Sequence, residues 1–166
     1  VVRRITGGGS VPHGDEWTLS VAMRADSQLL PQTAAESYIR LHQLLVKALC
    51  AAGHQANLMK APCSMNARGR RACFEEPVNH DIEVGGKKVI GTSQRRMTGR
   101  VLFQSSIQLP YSETLPEELS GIFEEWFGRP ADHFRLSDSI KTVVCKLIDQ
   151  KYTNPDYSYP QPGEKK

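Results

Sequence analysis

Alternation of apolar and polar residues marks the first regular element of the chain. From Trp17 to Arg24 every second residue is large and apolar: Trp17, Leu19, Val21 and Met23. Successive side chains of a strand point to opposite faces, so this period of two predicts a half-buried strand.

Three further stretches predict a meander of strands. They cover residues Asp81 to Val84, Lys87 to Gln94 and Val101 to Leu109. Gly85-Gly86 fits the two-residue hairpin turn between the first two, because such turns need positive φ. Met97-Thr98-Gly99-Arg100 predicts the next turn.

Helical periodicity predicts helices over Thr33 to Ala52, Leu115 to Phe127 and Ser137 to Tyr152. Thr33 and Glu36 have the spacing of a capping box, and Gly53 stands just past the end as a C-cap. The apolar stripe of the first helix comprises Ile39, Leu41, Leu44, Leu45, Ala48 and Leu49. Single strands, a meander and inserted helices together predict an α+β fold, with a mainly antiparallel or mixed sheet and helices on it.

Two segments lack such periodicity. Lys60 to Arg71 is rich in small and basic residues and is interpreted as a loop. Thr153 to Lys166 is polar and rich in proline, which predicts a disordered tail. We therefore expect one domain over residues 1–152, followed by the tail.

Composition adds limits rather than a function. The 166 residues are 39% hydrophobic and 23% charged, which is ordinary for a soluble domain. No run of about 18 apolar residues predicts a membrane span, and no signal peptide is recognised. A net charge of +3 allows an acidic partner but is below that of a dedicated nucleic-acid binder. The cysteines are Cys50, Cys63, Cys73 and Cys145. None of them forms a C-x-x-C pair, so no zinc site is predicted, and we expect reduced thiols in a cytoplasm.

The glycine triplet Gly7-Gly8-Gly9 follows Arg3 and Arg4. Bare backbone lets a ligand approach closely, so an anion-binding and acyl-binding loop is one interpretation. A flexible turn before a strand is the other. The spacing fits neither a dinucleotide fingerprint nor a P-loop.

Two side chains could supply acyl chemistry. Cys73 follows the basic stretch Arg68 to Arg71, where positive charge stabilises a thiolate nucleophile; the alternative is a small half-buried hydrophobe. That second interpretation is preferred for Cys50 and Cys145, which lie in helical stripes. Lys88 could point inward as a donor to an acyl oxygen, or it could protect a sheet edge. Lys87 must then face the other way.

Arg3 to His13 resembles the Arg-Arg-x-Ser/Thr-Gly-Gly-Gly/Arg-Ala-Val-x-His signature of the lipoate–protein ligase A family. Lys88 to Gln94 resembles that family's Lys-Ile/Val-x-Gly-Ser-Ala-Gln. Cys73-Phe74, followed by Pro77 and Asp81-Ile82, looks like the branch that contains the cysteine-dependent octanoyltransferases.

The resemblance implies a biotin/lipoate-protein ligase catalytic-domain fold, a mixed sheet with flanking helices around an acyl-binding cleft. It implies that Cys73 takes an octanoyl or lipoyl group from acyl carrier protein and passes it to a lysine of a lipoyl domain or glycine-cleavage H protein. No cofactor, metal, nucleic acid or membrane is expected. Lys88 would contact the acyl carbonyl. Substrate-binding roles are implied for Arg4, Thr6, Gly7, Gly8, Gly9, His13, Gly91 and Ser93.

The chain departs from the family pattern in three places. Gln104-Ser105-Ser106-Ile107 stands where the family often has Gln-His-Gly-Ser-Ile, and Thr92-Ser93 replaces Ser-Ala. Family members also carry several dozen residues before the double arginine, so we expect an N-terminal segment to be missing.

Two alternative functions stay open. One is an ATP-dependent lipoate–protein ligase, which would use ATP and Mg²⁺. The other is a non-catalytic module whose basic loop holds RNA or an acidic protein, although the interleaved aromatic residues of a nucleic-acid platform are missing.

Overall fold

The computed structural model describes residues 2–60, 78–110, 112–132 and 134–158. The chain divides into two compact units. The larger spans residues 8–131, and the smaller combines residues 1–7 with residues 132–166.

An antiparallel sheet forms the centre of the larger unit. Within the described residues it has five strands in the order β1-β5-β4-β3-β2. The strands are β1 (Trp17–Arg24), β2 (Ala56–Leu58), β3 (Ile82–Val84), β4 (Lys87–Met97) and β5 (Arg100–Ile107). The predicted α+β class with an antiparallel sheet is confirmed. β2 was not predicted, since three residues are too few to show alternation.

Helix α1 (Ala34–Ala51) packs against the sheet and supplies much of the core. Its stripe residues Leu41, Leu45 and Leu49 are each 1% exposed. Burial of one such side chain stabilises a fold by about 1.5–3 kcal/mol. Helix α2 (Leu115–Phe127) contacts α1 and ends at Gly128, whose φ of 64° is left-handed.

The start of α1 is capped as its sequence predicts. The Thr33 hydroxyl accepts a hydrogen bond from the Glu36 amide at 3.1 Å and donates to the Glu36 carboxylate at 2.7 Å. After the helix, Gly53 has a φ of 89°, a left-handed conformation that favours glycine. The predicted bounds of this helix are confirmed to within one residue at each end.

The smaller unit contains α3 (Asp138–Leu147), a π-helical turn (Ile148–Tyr152) and the short helix α4 (Pro155–Ser158). The boundary predicted at residue 152 lies inside this unit. Within the predicted tail, Pro155–Ser158 forms a short helix, and residues 159–166 lie outside the described residues. Tyr152 and Tyr157 meet edge to face with ring centroids 5.6 Å apart, a contact that holds α4 against the π-helical turn.

Two cysteines differ from their predicted environment. Cys50 and Cys145 are both exposed, so their interpretation as half-buried hydrophobes is wrong. Cys50 lies beside the buried stripe of α1 rather than in it, and no residue of α3 is buried. Helical periodicity shows that a helix forms, but it does not show what covers each face.

Candidate functional site

Lys88 is buried near the start of β4. Its Nζ lies 2.7 Å from Oδ2 of Asp81, and the two side chains are 6% and 0% exposed. β4 lies between β5 and β3, so Lys88 does not protect a sheet edge and that interpretation is wrong. Lys87 is exposed, which confirms that only one of the two adjacent lysines faces inward.

Asp81 is fixed from several directions. The Tyr38 hydroxyl donates to Oδ1 at 2.5 Å, and the Val78 amide donates to Oδ2 at 2.8 Å. The Asp81 amide donates back to the Val78 carbonyl, which closes a turn in which His80 has a φ of 70°. Hydrogen bonds of this kind replace the water that a buried carboxylate has lost.

His42 connects α1 to the same turn and to the sheet. The ring is fully buried; Nδ1 lies 2.8 Å from the His80 carbonyl oxygen, and Nε2 lies 2.8 Å from Oγ1 of Thr92. Oγ1 of Thr92 in turn lies 2.8 Å from Oγ of Ser105. The Tyr38 ring contacts the His42 ring, with centroids 4.0 Å apart and ring planes tilted by 37°.

The proton positions in this chain follow from its acceptors. Burial lowers the pKa of His42 from 6.5 to about 4, and the opposing influences of the His80 carbonyl and Asp81 are smaller. The ring is therefore neutral at pH 7. A carbonyl can only accept, so Nδ1 carries the proton and Nε2 accepts from the Thr92 hydroxyl. Thr92 Oγ1 then accepts from Ser105.

The predicted binding residues of β4 lie on the other face of the sheet. Thr92 reaches His42 of α1, so its neighbours Gly91 and Ser93 point away from α1. Gly91 is buried, and Ser93 Oγ lies 3.5 Å from the Gln104 carbonyl oxygen. The stretch that resembles a family motif thus contributes to both faces of the sheet.

Two glycines of the triplet have left-handed backbone. In the smaller unit Gly7 has a φ of 73°, and its carbonyl accepts a hydrogen bond of 2.6 Å from Nε of Arg4. Thr6, the residue before Gly7, is half-buried. In the larger unit Gly8 has a φ of 90°. These angles explain why the positions need glycine, since other residues rarely adopt them.

His13 is held locally, just before β1. Its Nδ1 forms a very short contact with Oε1 of Glu16, while its side chain stays 61% exposed. The Gly14 amide donates to Oε2 of Glu16 at 2.6 Å. That hydrogen bond, together with His13, holds the pKa of Glu16 below its usual value.

Some of the predicted site is not tested by these contacts. Cys73 lies outside the described residues, as do Cys63 and the basic stretch from Arg68 to Arg71. Arg4, Thr6 and Gly7 belong to the smaller unit, whereas Gly8, Gly9, His13, Lys88, Gly91 and Ser93 belong to the larger. A single site formed by all of these residues stays a prediction.

Reasoning from the sequence did not predict the polar network that surrounds Lys88. It consists of Tyr38, His42, Asp81, Thr92 and Ser105. The sequence offered a signal only for His42, a polar residue that directly follows Leu41 within the apolar stripe of α1.

Within residues 2–60, 78–110, 112–132 and 134–158, no group of three His, Cys, Asp or Glu residues could hold a metal ion. Across these same residues, no helix has the length and hydropathy of a membrane span.

The chain is similar to several octanoyltransferases. It is 38% identical over 114 residues to octanoyltransferase LipM of Moorella thermoacetica, covering 66% of this chain and 40% of that protein. It is 34% identical over 158 residues to octanoyltransferase LipM of Bacillus anthracis, covering 92% of this chain and 56% of that protein. The chain thus spans about half the length of the curated relatives it matches.

The fold is shared with lipoate-protein ligases of known structure. Protein Ta0514 of T. acidophilum with bound lipoic acid matches 95% of this chain and 70% of its own, at 19% identity and a TM-score of 0.75. Lipoate-protein ligase A bound with ATP matches 94% of this chain and 70% of its own, at 18% identity and a TM-score of 0.75. The family model of the lipoyl protein ligase A/B catalytic domain matches residues 1–126, and the chain belongs to this family.

Proposed function

We propose that this chain is the acyl-transfer part of an octanoyltransferase in protein lipoylation. The octanoyl, or lipoyl, group would move from acyl carrier protein to Cys73 and then to a lysine of a lipoyl domain or glycine-cleavage H protein. The observation that carries the proposal is the buried Lys88 ammonium, paired with Asp81 inside a fold of this family. Similarity to the LipM octanoyltransferases supports it.

Lys88 is proposed to donate a hydrogen bond to the acyl carbonyl oxygen. Attack on a thioester places negative charge on that oxygen, and a preorganised cation lowers the barrier most effectively where water is excluded. Lys88 meets this requirement because its side chain is almost fully buried and its ammonium is stabilised by Asp81. Loss of one oxyanion donor typically slows a reaction by about 10²–10³-fold.

Cys73 is proposed as the nucleophile. Its thiolate attacks the thioester carbonyl, so that the acyl carbon forms a bond to the Cys73 sulfur and its bond to the carrier's sulfur breaks. The carrier leaves as a thiolate and takes up a proton equivalent to the one that Cys73 lost. The acceptor lysine then attacks as a neutral amine, an amide forms, and the Cys73 thiol is released. Thioester exchange is nearly balanced in free energy and amide formation is downhill, so neither step requires ATP or another cofactor.

Both protein partners are proposed to be acidic carriers, which suits the net charge of +3. The cytoplasm is the proposed compartment, in keeping with the free thiols Cys50 and Cys145.

The test is the intact mass of the chain after incubation with octanoyl-acyl carrier protein. We expect one octanoyl adduct that disappears in Cys73→Ala. Cys50→Ala is the matched control, because Cys50 is an exposed thiol with no proposed role. An adduct that is absent, or that is lost in Cys50→Ala but kept in Cys73→Ala, contradicts the proposal.

The second candidate is an ATP-dependent lipoate–protein ligase. The observation that favours it is the fold shared with a ligase A that binds ATP. In this case Lys88 would contact an acyl-adenylate, and ATP with Mg²⁺ would be substrates. ATP–pyrophosphate exchange that depends on lipoate or octanoate and survives Cys73→Ala would establish the ligase instead of the transferase.

A further inference from the structure

His13 and Glu16 form a dyad in the segment just before β1. Nδ1 of His13 makes a very short contact with Oε1 of Glu16. The Glu16 side chain is only 6% exposed, and its other carboxylate oxygen accepts the Gly14 amide at 2.6 Å. The hydrogen bond from Gly14, together with His13, holds the pKa of Glu16 below its usual value, so this carboxyl is ionised at pH 7.

The position of the proton on the His13 ring follows from this partner. An ionised carboxylate can only accept, so Nδ1 carries the proton that faces Oε1 of Glu16. In the neutral ring Nε2 then holds the lone pair and can accept a proton. The His13 side chain is 61% exposed, which lets a substrate amine approach it. A buried carboxylate that orients an exposed imidazole is the arrangement of a general base with its orienting group.

The pairing of the strands places this dyad at the same end of the sheet as Lys88. Trp17, the residue after Glu16, pairs with Ile107 of β5. Ile107 also pairs with Ile90 of β4. Because β1 and β4 are both antiparallel to β5, they run in the same direction, and Glu16 and Lys88 both precede this row of paired residues. Two strand spacings, about 10 Å, separate β1 from β4.

The transfer to a lysine needs a base that Lys88 does not supply. An acceptor lysine is an ammonium at pH 7 and must lose a proton before its nitrogen can attack. Lys88 is proposed to donate to the acyl oxygen, and an ammonium has no lone pair with which to accept a proton. A separate proton acceptor is therefore needed.

We propose that His13 is the general base for transfer of the acyl group to the acceptor lysine and that Glu16 is the positioning residue of His13. This inference rests on the proposed function, in which the acyl group reaches that lysine from Cys73. Nε2 of His13 takes one proton from the acceptor ammonium. The neutral nitrogen then attacks the thioester carbonyl, forms a bond to the acyl carbon, and the bond from that carbon to the Cys73 sulfur breaks. A second proton passes from the nitrogen to the Cys73 thiolate, and His13 returns the first proton to water.

The experiment separates the two half-reactions of the full chain at pH 7. Intact mass follows acylation of Cys73 by octanoyl-acyl carrier protein, and then the loss of the adduct after an isolated lipoyl domain is added. We expect His13→Ala to slow the second half-reaction by about 10²–10⁴-fold, the usual contribution of a general base. Acylation should slow far less, because a thiolate attacks without first losing a proton.

Imidazole in solution gives a readout that a merely structural role of His13 would not move. It can take the place of the missing ring, so it should restore part of the transfer rate in His13→Ala. Glu16→Gln should slow transfer at least about tenfold, because an amide can reverse the tautomer of the ring, and imidazole should not restore this loss. His54→Gln is the matched control, since His54 lies between α1 and β2 and has no proposed role; it should transfer at the unmodified rate.

Transfer at the unmodified rate in His13→Ala overturns the inference, as does equal slowing of acylation and transfer, or no effect of imidazole. An adduct that the lipoyl domain does not remove from the unmodified chain overturns it as well. Circular dichroism checks the fold of His13→Ala; if it is unfolded, the slowing of transfer relative to acylation in Glu16→Gln decides. In all these cases a normal adduct on Cys73 leaves the acylation half of the proposed function in place. No adduct in the unmodified chain refutes the proposed function, and this inference with it.

Discussion

Strand β4 has a cationic side chain near α1 at each of its ends, and the two side chains differ in burial and in the groups they bind. Lys88, near the start of the strand, is almost fully buried and pairs with Asp81. Arg96, near its end, is exposed and donates to the carbonyls of Pro31 and Thr33 at 3.0 and 3.1 Å. Arg96 also contacts the Ser37 hydroxyl.

The difference in burial sets the proposed chemical role of Lys88 apart from the structural role of Arg96. Exposed hydrogen bonds from Arg96 tie the strand to the segment that leads into α1 at little cost, because water still solvates the charge. A buried ion pair gives weak net stability, since the desolvation of both partners offsets their attraction. A fold that buries Lys88 with Asp81 gains little stability from doing so, which fits a chemical role for the ammonium.

The largest expected contrast is between Lys88→Met and Arg96→Met. Loss of Lys88 leaves Asp81 buried without its counter-ion, and the free energy of unfolding should fall by about 3–5 kcal/mol. Loss of Arg96 removes exposed hydrogen bonds and should cost about 1 kcal/mol. Urea denaturation at pH 7 measures both, and equal losses would remove the distinction between the two ends.

A double substitution sharpens this contrast. Adding Asp81→Asn to Lys88→Met removes the unpaired charge, so part of the lost stability should return. A double-mutant cycle gives the coupling between the two side chains.

The pH dependence of stability gives the second contrast. The folded pKa of His42 is about 4, whereas the unfolded ring titrates near 6.5. Between these values only the unfolded state binds the extra proton, so stability is complete above pH 6.5 and falls as the pH drops towards 4. The loss attributable to His42 is about 3 kcal/mol at most.

Urea denaturation from pH 7 to pH 4 measures this loss as the difference between the unmodified chain and His42→Gln, which has no titrating ring. Arg96→Met should keep the pH dependence of the unmodified chain, because arginine stays charged throughout. Parallel curves for the unmodified chain and His42→Gln would show that the buried ring does not titrate as described.

The smallest expected contrast concerns two hydroxyls near the start of α1. Tyr38→Phe removes a hydrogen bond to the buried Asp81 carboxylate and should cost about 2 kcal/mol. Thr33→Ala removes the N-cap at the Arg96 end and should cost about 1 kcal/mol. Thermal unfolding of both variants checks the order, and a larger loss in Thr33→Ala would reverse it.

The sequence predicted the elements that repeat a simple pattern. β1, α1 and α2 follow from alternation or helical periodicity, together with local cap residues such as Thr33 and Gly53 around α1. These signals are local, so one sequence is enough to find them. The sequence left the orientation of Lys88 open, since the apolar neighbours Val89 and Ile90 allow an inward lysine without excluding one at a sheet edge.

The partners of Lys88 could not be predicted in the same way. Tyr38 and Asp81 are 43 residues apart in sequence, and His42 and Thr92 are 50 apart. A single polar residue in an apolar stripe shows that a partner is needed, but it does not identify that partner. Topology supplies the answer by placing α1 against β4 and the turn at His80.

The most direct test of the account is the rate at which octanoyl-acyl carrier protein acylates Cys73 in a single turnover. The neutral pair Lys88→Gln with Asp81→Asn avoids an unpaired buried charge, and Lys87→Gln alters the exposed neighbour. We expect acylation to slow by about 10²–10³-fold in the neutral pair and to change less than about twofold in Lys87→Gln. A folded neutral-pair variant that acylates Cys73 at the unmodified rate would contradict the role of Lys88.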